Sequence, residues 1–486
     1  MMKDWTRAQW RIPLKSVIVF WLKVLRASGC FPYAIDVIEI DERSHVQHEI
    51  CGKNGTISLI KLTAYKHKWL NTLLLLSLAS FNIVASLAEF KTNQDLFTGY
   101  MTNTEITTVT ILPIVRNVVY LSVVLHAWWN SSILQTLIQL TVEVLNSDKK
   151  LRFLRSAGHI TQLFFPLLVV DLFILVYTQS RVGRDILHEK FWESGAPIVW
   201  GIGIVQYLLF FNVYFSLICI NNACQSILVH SFEQISRSIE IKVDFYSQKL
   251  CAVATKLNPS IDHECHASSS FPSPKSSKKS VEINGNDFLK QDKKEHLLAP
   301  QLTSKMSSTA LLNNKYSVID LPHLQRLWQI QNKINSFFWF STLIYSAAYV
   351  LFSAGIGFLT VVMGQTASQN LSSILFFIIQ SMPLGLLYHT ADQLHENKNR
   401  LLQELARFQL FADDSTEADQ ARRLMEFVHV QPEVTAGGFF SLSKAKLLAM
   451  MGFISSYLVI LLQFNGKTNF LTDRFAGLNQ SAMQGE

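Results

Sequence analysis

The chain has 486 residues, of which 49% are hydrophobic, 33 are phenylalanine and only 16% are charged. A soluble protein carries about 25% charged residues. The deficit here is concentrated in long uncharged blocks, which excludes a soluble multidomain protein and indicates an all-α membrane protein. The net charge of +7 does not mark a nucleic-acid binder, because the basic residues stand between apolar blocks and form no face interleaved with aromatics.

In chain order, the first apolar stretch, Ser16–Leu25, is short and broken by Lys23. No small-residue cleavage site follows it, so it reads as an interfacial or cytoplasmic helix rather than a signal peptide. Seven later stretches are long enough to cross about 30 Å of hydrocarbon as helices: Trp69–Phe90, Thr107–Trp129, Ile160–Arg181, Pro197–Asn221, Phe337–Met363, Leu371–Ala391 and Ala445–Phe464. The blocks are continuous rather than alternating, which rules against a barrel.

Lys and Arg counts orient the spans. With the N-terminus inside, the inner segments hold 34 basic residues against six outside, namely Lys91, Arg181, Arg184, Lys190, Lys467 and Arg474. Leaving out the long loop between spans four and five still gives 20 against six. The expected organisation is therefore a cytoplasmic segment 1–68, spans one to four within 69–221, a cytoplasmic loop 222–336, spans five and six within 337–391, a cytoplasmic helical segment 392–444, span seven at 445–464 and an extracellular tail 465–486. Cys30, Cys51, Cys219, Cys224, Cys251 and Cys265 all fall on the inner side or at inner span ends, as reduced thiols should. Acceptor tripeptides for N-glycosylation fall on both sides (Asn54 and Asn130 inside, Asn370 and Asn479 outside) and do not decide the orientation.

Within the inner loop, Ser268–Ser280 is rich in Ser, Lys and Pro and cannot bury a core, so it reads as a disordered insertion acting as a spacer, with regulatory phosphorylation as the other reading. Cys265 with His263 and His266 is too sparse for a metal site, and no metal or cofactor is expected. The flanking segments Asn222–Leu250 and Leu321–Ser336, and later Leu394–Phe411 and Glu417–Val430, have apolar residues at helical spacing. Leu394, Leu401, Leu402, Leu405 and Phe408 make one such face, and Asp413-Asp414 breaks the run.

Polar residues inside spans are expensive and are usually paired or functional. Arg116 in span two and Asp171 in span three lie at depths where an ion pair can form, either structural or in contact with a ligand. Gln179, Trp200, Gln206, Tyr207, Tyr345 and Tyr349 add amide, hydroxyl and ring groups that suit a small polar or mixed ligand. Trp and Tyr near span ends also serve as interface anchors. His126 and Asp171 show no catalytic spacing, so no enzyme is indicated.

The last span carries Ser455-Ser456-Tyr457-Leu458-Val459-Ile460-Leu461-Leu462-Gln463-Phe464. This string resembles the terminal signature of the insect gustatory receptors, with Tyr457, Gln463 and Phe464 matching and Ser456 in place of the usual Thr. The preceding Thr435–Leu442 is similar to that family's link into the last helix, with Gly437 where Cys is common. The resemblance implies a ligand-gated cation channel in the plasma membrane of a sensory dendrite, opened by a small-molecule tastant. It also implies a homo- or hetero-tetramer embedded in membrane lipid, each subunit giving its last helix to a central pore. Ser456, Ile460 and Gln463 share one face of that helix at i, i+4, i+7 spacing. Under the resemblance they line the pore, Ile460 closing it and Phe464 bracing the gate; otherwise Gln463 makes an interhelical hydrogen bond. The string is closer to the bitter and fructose branches than to the multi-sugar branch. A G-protein-coupled receptor is disfavoured by the inside N-terminus, by Tyr177–Arg181 lacking an acidic-Arg-aromatic triplet, and by a last span without Asn-Pro-x-x-Tyr. A transporter is disfavoured because no matched pair of Gly/Pro-broken spans marks two repeat halves.

Overall fold

Leu14, Val17, Ile18, Trp21, Leu22 and Leu25 recur at helical spacing, and in the computed structural model they form one wholly buried face of helix α1, Leu14–Ala27. Each such burial contributes roughly 1.5–3 kcal/mol relative to exposure, while Lys23 and Arg26 stay on the exposed side. The structure describes residues 14–41, 56–64, 68–97, 103–147, 195–257, 321–363, 367–412 and 415–464, with isolated residues between 166 and 177. The first apolar stretch is thus a helix with one buried face. It ends at Gly29, whose φ of 76° lets the Cys30 amide reach back to the Leu25 carbonyl and the Gly29 amide to Arg26, both at 3.0 Å. This is a Schellman turn, and it carries the buried Cys30 and Phe31.

Strands β1 (Tyr33–Asp41) and β2 (Thr56–Ala64) follow and pair antiparallel, from Tyr33 opposite Ala64 to Asp41 opposite Thr56. The all-α expectation is corrected here. Both segments are rich in β-branched residues, which favour strands, and the register runs unbroken through Asp36 opposite Lys61. Apart from this hairpin and a one-residue bridge near the C-terminus, the described chain is helical: α2 (Lys68–Phe97), α3 (Asn103–Trp129), α4 (Ser131–Ser147), α5 (Ala196–Leu257), α6 (Leu321–Met363), α7 (Ala367–Phe411), α8 (Ser415–Val430) and α9 (Lys444–Phe464).

Five described helices are long and apolar enough to cross a membrane: Thr72–Leu96 in α2, Glu105–Trp129 in α3, Ala196–Val253 in α5, Pro322–Val361 in α6 and Lys444–Gln463 in α9. They coincide with expected spans one, two, four, five and seven. The expected third span lies outside the described residues except at isolated positions, and the expected sixth falls inside α7, with Pro383 within the helix. The Ser268–Ser280 insertion and Asp413-Asp414 also lie outside the described residues. The expected fourth span and the Asn222–Leu250 helix prove to be a single 62-residue helix.

The chain divides into two compact units. The larger takes residues 1–233, 325–399 and 431–486, and its fully buried large side chains include Trp21, Tyr120, Phe211, Phe215, Phe232, Phe337, Phe358 and Tyr388. The smaller takes residues 234–324 and 400–430. Leu401, Leu405 and Phe408 of α7 are buried there, as their spacing predicts, with Ala421, Leu424 and Val428 of α8; Leu402 is half-buried. Tyr246 of α5 donates to the Glu417 carboxylate at 2.9 Å, and Arg400 pairs with Glu240 at 2.8 Å.

Candidate functional site

Helix α2 is apolar in composition but carries Asn82, Ser86, Glu89 and Asn93 at i, i+4, i+7 and i+11, a helical stripe. All four are buried. Arg116 of α3 donates from Nη2 to Glu89 at 2.9 Å and to the Gln206 side-chain oxygen of α5 at 3.1 Å. Gln206 donates in turn to the Asn82 carbonyl at 3.0 Å, and Asn117 donates to the Ser86 hydroxyl. One helical turn before Gln206, Gly203 leaves room for the Glu89 carboxylate, which a Cβ there would meet at 3.2 Å. Trp200, one turn earlier again, donates from its indole to Asn93 at 3.1 Å. The result is a three-helix polar cluster around one ion pair. The Arg116 Nε, the Asn82 Oδ1 and the Asn117 Oδ1 remain buried without a hydrogen-bond partner. In a low-dielectric setting such groups favour a polar ligand or water as the missing partner.

A second cluster lies along α5, α6 and α7. Gln380 donates to the Tyr207 hydroxyl at 2.5 Å, and the Tyr214 hydroxyl donates to the Gln380 carbonyl at 3.1 Å. Tyr345 packs edge-on against Tyr214, with ring centroids 4.6 Å apart, and Phe210 sits beside both. Tyr349 shares a 2.8 Å hydrogen bond with Ser381 and donates to the Met451 sulfur of α9 at 3.5 Å. Tyr388 likewise donates to the Met450 sulfur at 3.4 Å and bonds Ser346. Two buried tyrosines therefore reach α9 from α6 and α7.

Of the eight expected ligand residues, Arg116, Trp200 and Gln206 come together in the first cluster, and Tyr207, Tyr345 and Tyr349 in the second. Gln206 and Tyr207 are neighbours on α5 and join the two. Asp171 and Gln179 lie outside the described residues. Among the described residues Arg116 pairs with Glu89, which sequence reasoning missed, along with Asn82, Ser86 and Asn93; their shared helical face was the available signal.

Helix α9 is set apart by its exposure. Its span has a mean hydropathy of 2.0, yet only 6% of it is buried, against 28–67% for the other four. Ser456, Ile460 and Gln463 are all exposed, and the Ser456 hydroxyl donates back to the Gly452 carbonyl at 3.0 Å. The side chain of Phe464 lies outside the described residues.

The helix starts from a strap, residues 431–443, folded into a small hairpin. Leu442 donates to the Val434 carbonyl at 3.0 Å, and Thr435 bridges to Ser441. Gly437 and Gly438 both have positive φ, 65° and 77°, the pairing a tight hairpin turn demands. Gly437 abuts Trp339 so closely that a Cβ would lie 2.7 Å from its ring. Ser443 caps α9, its carbonyl and hydroxyl both accepting from the Lys446 amide.

Residues 322–466, from the start of α6 to just past α9, match the family of 7tm chemosensory receptors. That stretch resembles the chemosensory receptors. No curated protein matches the chain in sequence. Its fold is that of two solved structures of the insect olfactory receptor OR5 from Machilis hrabei. One has a TM-score of 0.56 at 10% identity, covering 93% of this chain and 98% of that one. The other, in complex with eugenol, has a TM-score of 0.52 at 11% identity with the same coverage. In this chain the matched region holds α9, the strap and the tyrosines that reach α9. The Glu89–Arg116–Gln206 cluster precedes it in the chain.

Proposed function

We propose that this chain is a gustatory receptor, a tastant-gated, non-selective cation channel of the plasma membrane. It has seven spans, a cytoplasmic N-terminus and an extracellular C-terminus, and assembles as a tetramer, alone or with other gustatory receptor subunits. The observation that carries the reading is α9, the most apolar described span and the least buried within its own chain. A helix so uncovered fits against copies of itself, and its Ser456, Ile460 and Gln463 face suits a pore wall, with amide rings weakly favouring cations and an isoleucine ring closing by dewetting. The Ser456–Phe464 string supports the gustatory assignment.

A small molecule, bitter or a simple sugar, binds among α2, α3, α5, α6 and α7. Arg116, Asp171, Gln179, Trp200, Gln206, Tyr207, Tyr345 and Tyr349 are its proposed contacts, to which the structure adds Glu89. The eugenol complex of the olfactory receptor supports small-molecule binding in this fold. Tyr349 and Tyr388 supply a short route from that region to α9.

Whole-cell recording with G-protein signalling blocked tests the reading. Cells expressing the chain should give a rapid cation current to a sugar or a bitter alkaloid. A current abolished by the block would replace the channel with a G-protein-coupled receptor.

A further inference from the structure

The strap is held to its neighbours chiefly by polar bonds. Lys398 of α7 donates from Nζ to the Gln431 carbonyl, Gln331 of α6 to the Pro432 carbonyl, and Asn335 of α6 to the Glu433 carbonyl at 2.8 Å. Asn335 also accepts from the Thr435 amide at 3.4 Å. His395 stands 3.6 Å from the Glu433 carboxylate. At the strap's far end Lys444 pairs with Asp392 of α7 at 3.0 Å. Beneath these bonds lies a cavity of about 240 Å³ lined by Gln331, Asp392, His395 and Lys398 from the helices and by Glu433 and Ser441–Ser443 from the strap. Ala391, Leu394 and Val434 complete the lining, so the strap borders a mixed pocket while its Val434, Ala436 and Leu442 are buried.

Lys398 is 8% exposed and Gln331 1%. Burial lowers the pKa of the Lys398 ammonium, opposed by the nearby Glu433. Such groups are costly to bury unless they are held in a fixed geometry. Three successive carbonyls, 431 to 433, are gripped from two different helices, and the next helix begins eleven residues after Glu433. The start of α9 is therefore set by where α6 and α7 hold the strap.

We propose that the strap is a clamp coupling α6 and α7 to the base of α9, with Lys398 as its principal positioning residue and the Asp392–Lys444 pair as its second anchor. Movement of either helix shifts the three gripped carbonyls and with them the capped first turn of α9. The clamp rests on the reading of α9 as the pore wall only for its consequence on current. Its mechanical half stands on the bonds alone.

Lys398→Met and Lys398→Arg, each in the full-length protein at matched surface level, separate the two halves. Amide exchange across residues 434–442 reads the mechanical half without any ligand: Lys398→Met should speed exchange, and Lys398→Arg, which keeps a charged donor, should leave it near wild type. Current evoked by fructose or denatonium reads the coupling. In Lys398→Met the half-maximal concentration should rise by about tenfold, a common size for coupling between sites, while binding of the labelled compound is unchanged.

The charge swap Asp392→Lys with Lys444→Asp should recover much of the loss that either single change causes. Wild-type exchange rates in Lys398→Met would overturn the clamp. Faster exchange with an unaltered concentration response would overturn the coupling. A wild-type chain silent to every tastant refutes the channel reading and removes the coupling with it, and the exchange experiment still decides the clamp.

Discussion

Arg116 is the residue on which the polar cluster turns. Its guanidinium spans Glu89 and Gln206, and the two charged side chains are only 13% and 8% exposed. Removing one member of a buried pair leaves an uncompensated charge and costs about 3–5 kcal/mol. Glu89→Ala or Arg116→Ala should therefore lower the thermal stability of the detergent-solubilised protein sharply, and the exchange Glu89→Arg with Arg116→Glu should recover part of it. Gly203→Ala tests the same cluster sterically: its methyl would press on the Glu89 carboxylate, with an expected loss of about 1–3 kcal/mol. A melting temperature unchanged in Gly203→Ala would show that Glu89 moves aside freely. The sequence made Arg116 conspicuous as a charge inside a span, but not its partner. Several acidic residues of other segments are compatible with one Arg, and only packing selects Glu89, which stands on α2 one turn from Ser86 and one from Asn93.

At the scale of elements, five of the seven expected spans were legible because their signal is local: a long run of apolar residues announces itself without knowledge of its neighbours. The buried face of α7 was legible for the same reason, since Leu401, Leu405 and Phe408 repeat at helical spacing. The hairpin β1–β2 was not. The pairing between Tyr33–Asp41 and Thr56–Ala64 is a non-local choice of register that no single segment displays. Helix α1 was read as a helix from Ser16–Leu25, and its buried stripe of Leu14, Val17, Ile18, Trp21, Leu22 and Leu25 lies on the side away from Lys23. Helix α9 carries the prediction of this scale. Gln463→Ala should change relative ion permeability or basal current at unchanged surface expression, whereas permeation identical to wild type would take Gln463 off the pore wall.

The whole molecule divides into a larger unit, which holds both clusters and α9, and a smaller one. The residues between α5 and α6, Ser268–Ser280 among them, lie outside the described residues and read from the sequence as a spacer. Deleting residues 268–304 should leave the concentration response within about twofold of wild type, as tolerated loop changes generally do. Loss of current with normal trafficking would assign that segment a regulatory role. The exposure of α9 has its own consequence at this scale: an isolated subunit leaves its last helix largely uncovered, so assembly should be detectable as a stable oligomer by cross-linking in membranes. A purely monomeric pattern would remove the tetrameric pore.

The strap has one more property. The three hydrogen bonds from Lys398, Gln331 and Asn335 to residues 431–433 all end on main-chain carbonyls, a group that every amino acid supplies. Those three grips therefore depend on the donors Gln331, Asn335 and Lys398 rather than on the side chains at 431–433, although Gln431 is itself buried and Glu433 also faces His395. Gly437 is the exception within the strap, since its positive φ and its approach to Trp339 leave no room for a side chain. Relatives with little sequence in common along this stretch can therefore hold it by the same three grips.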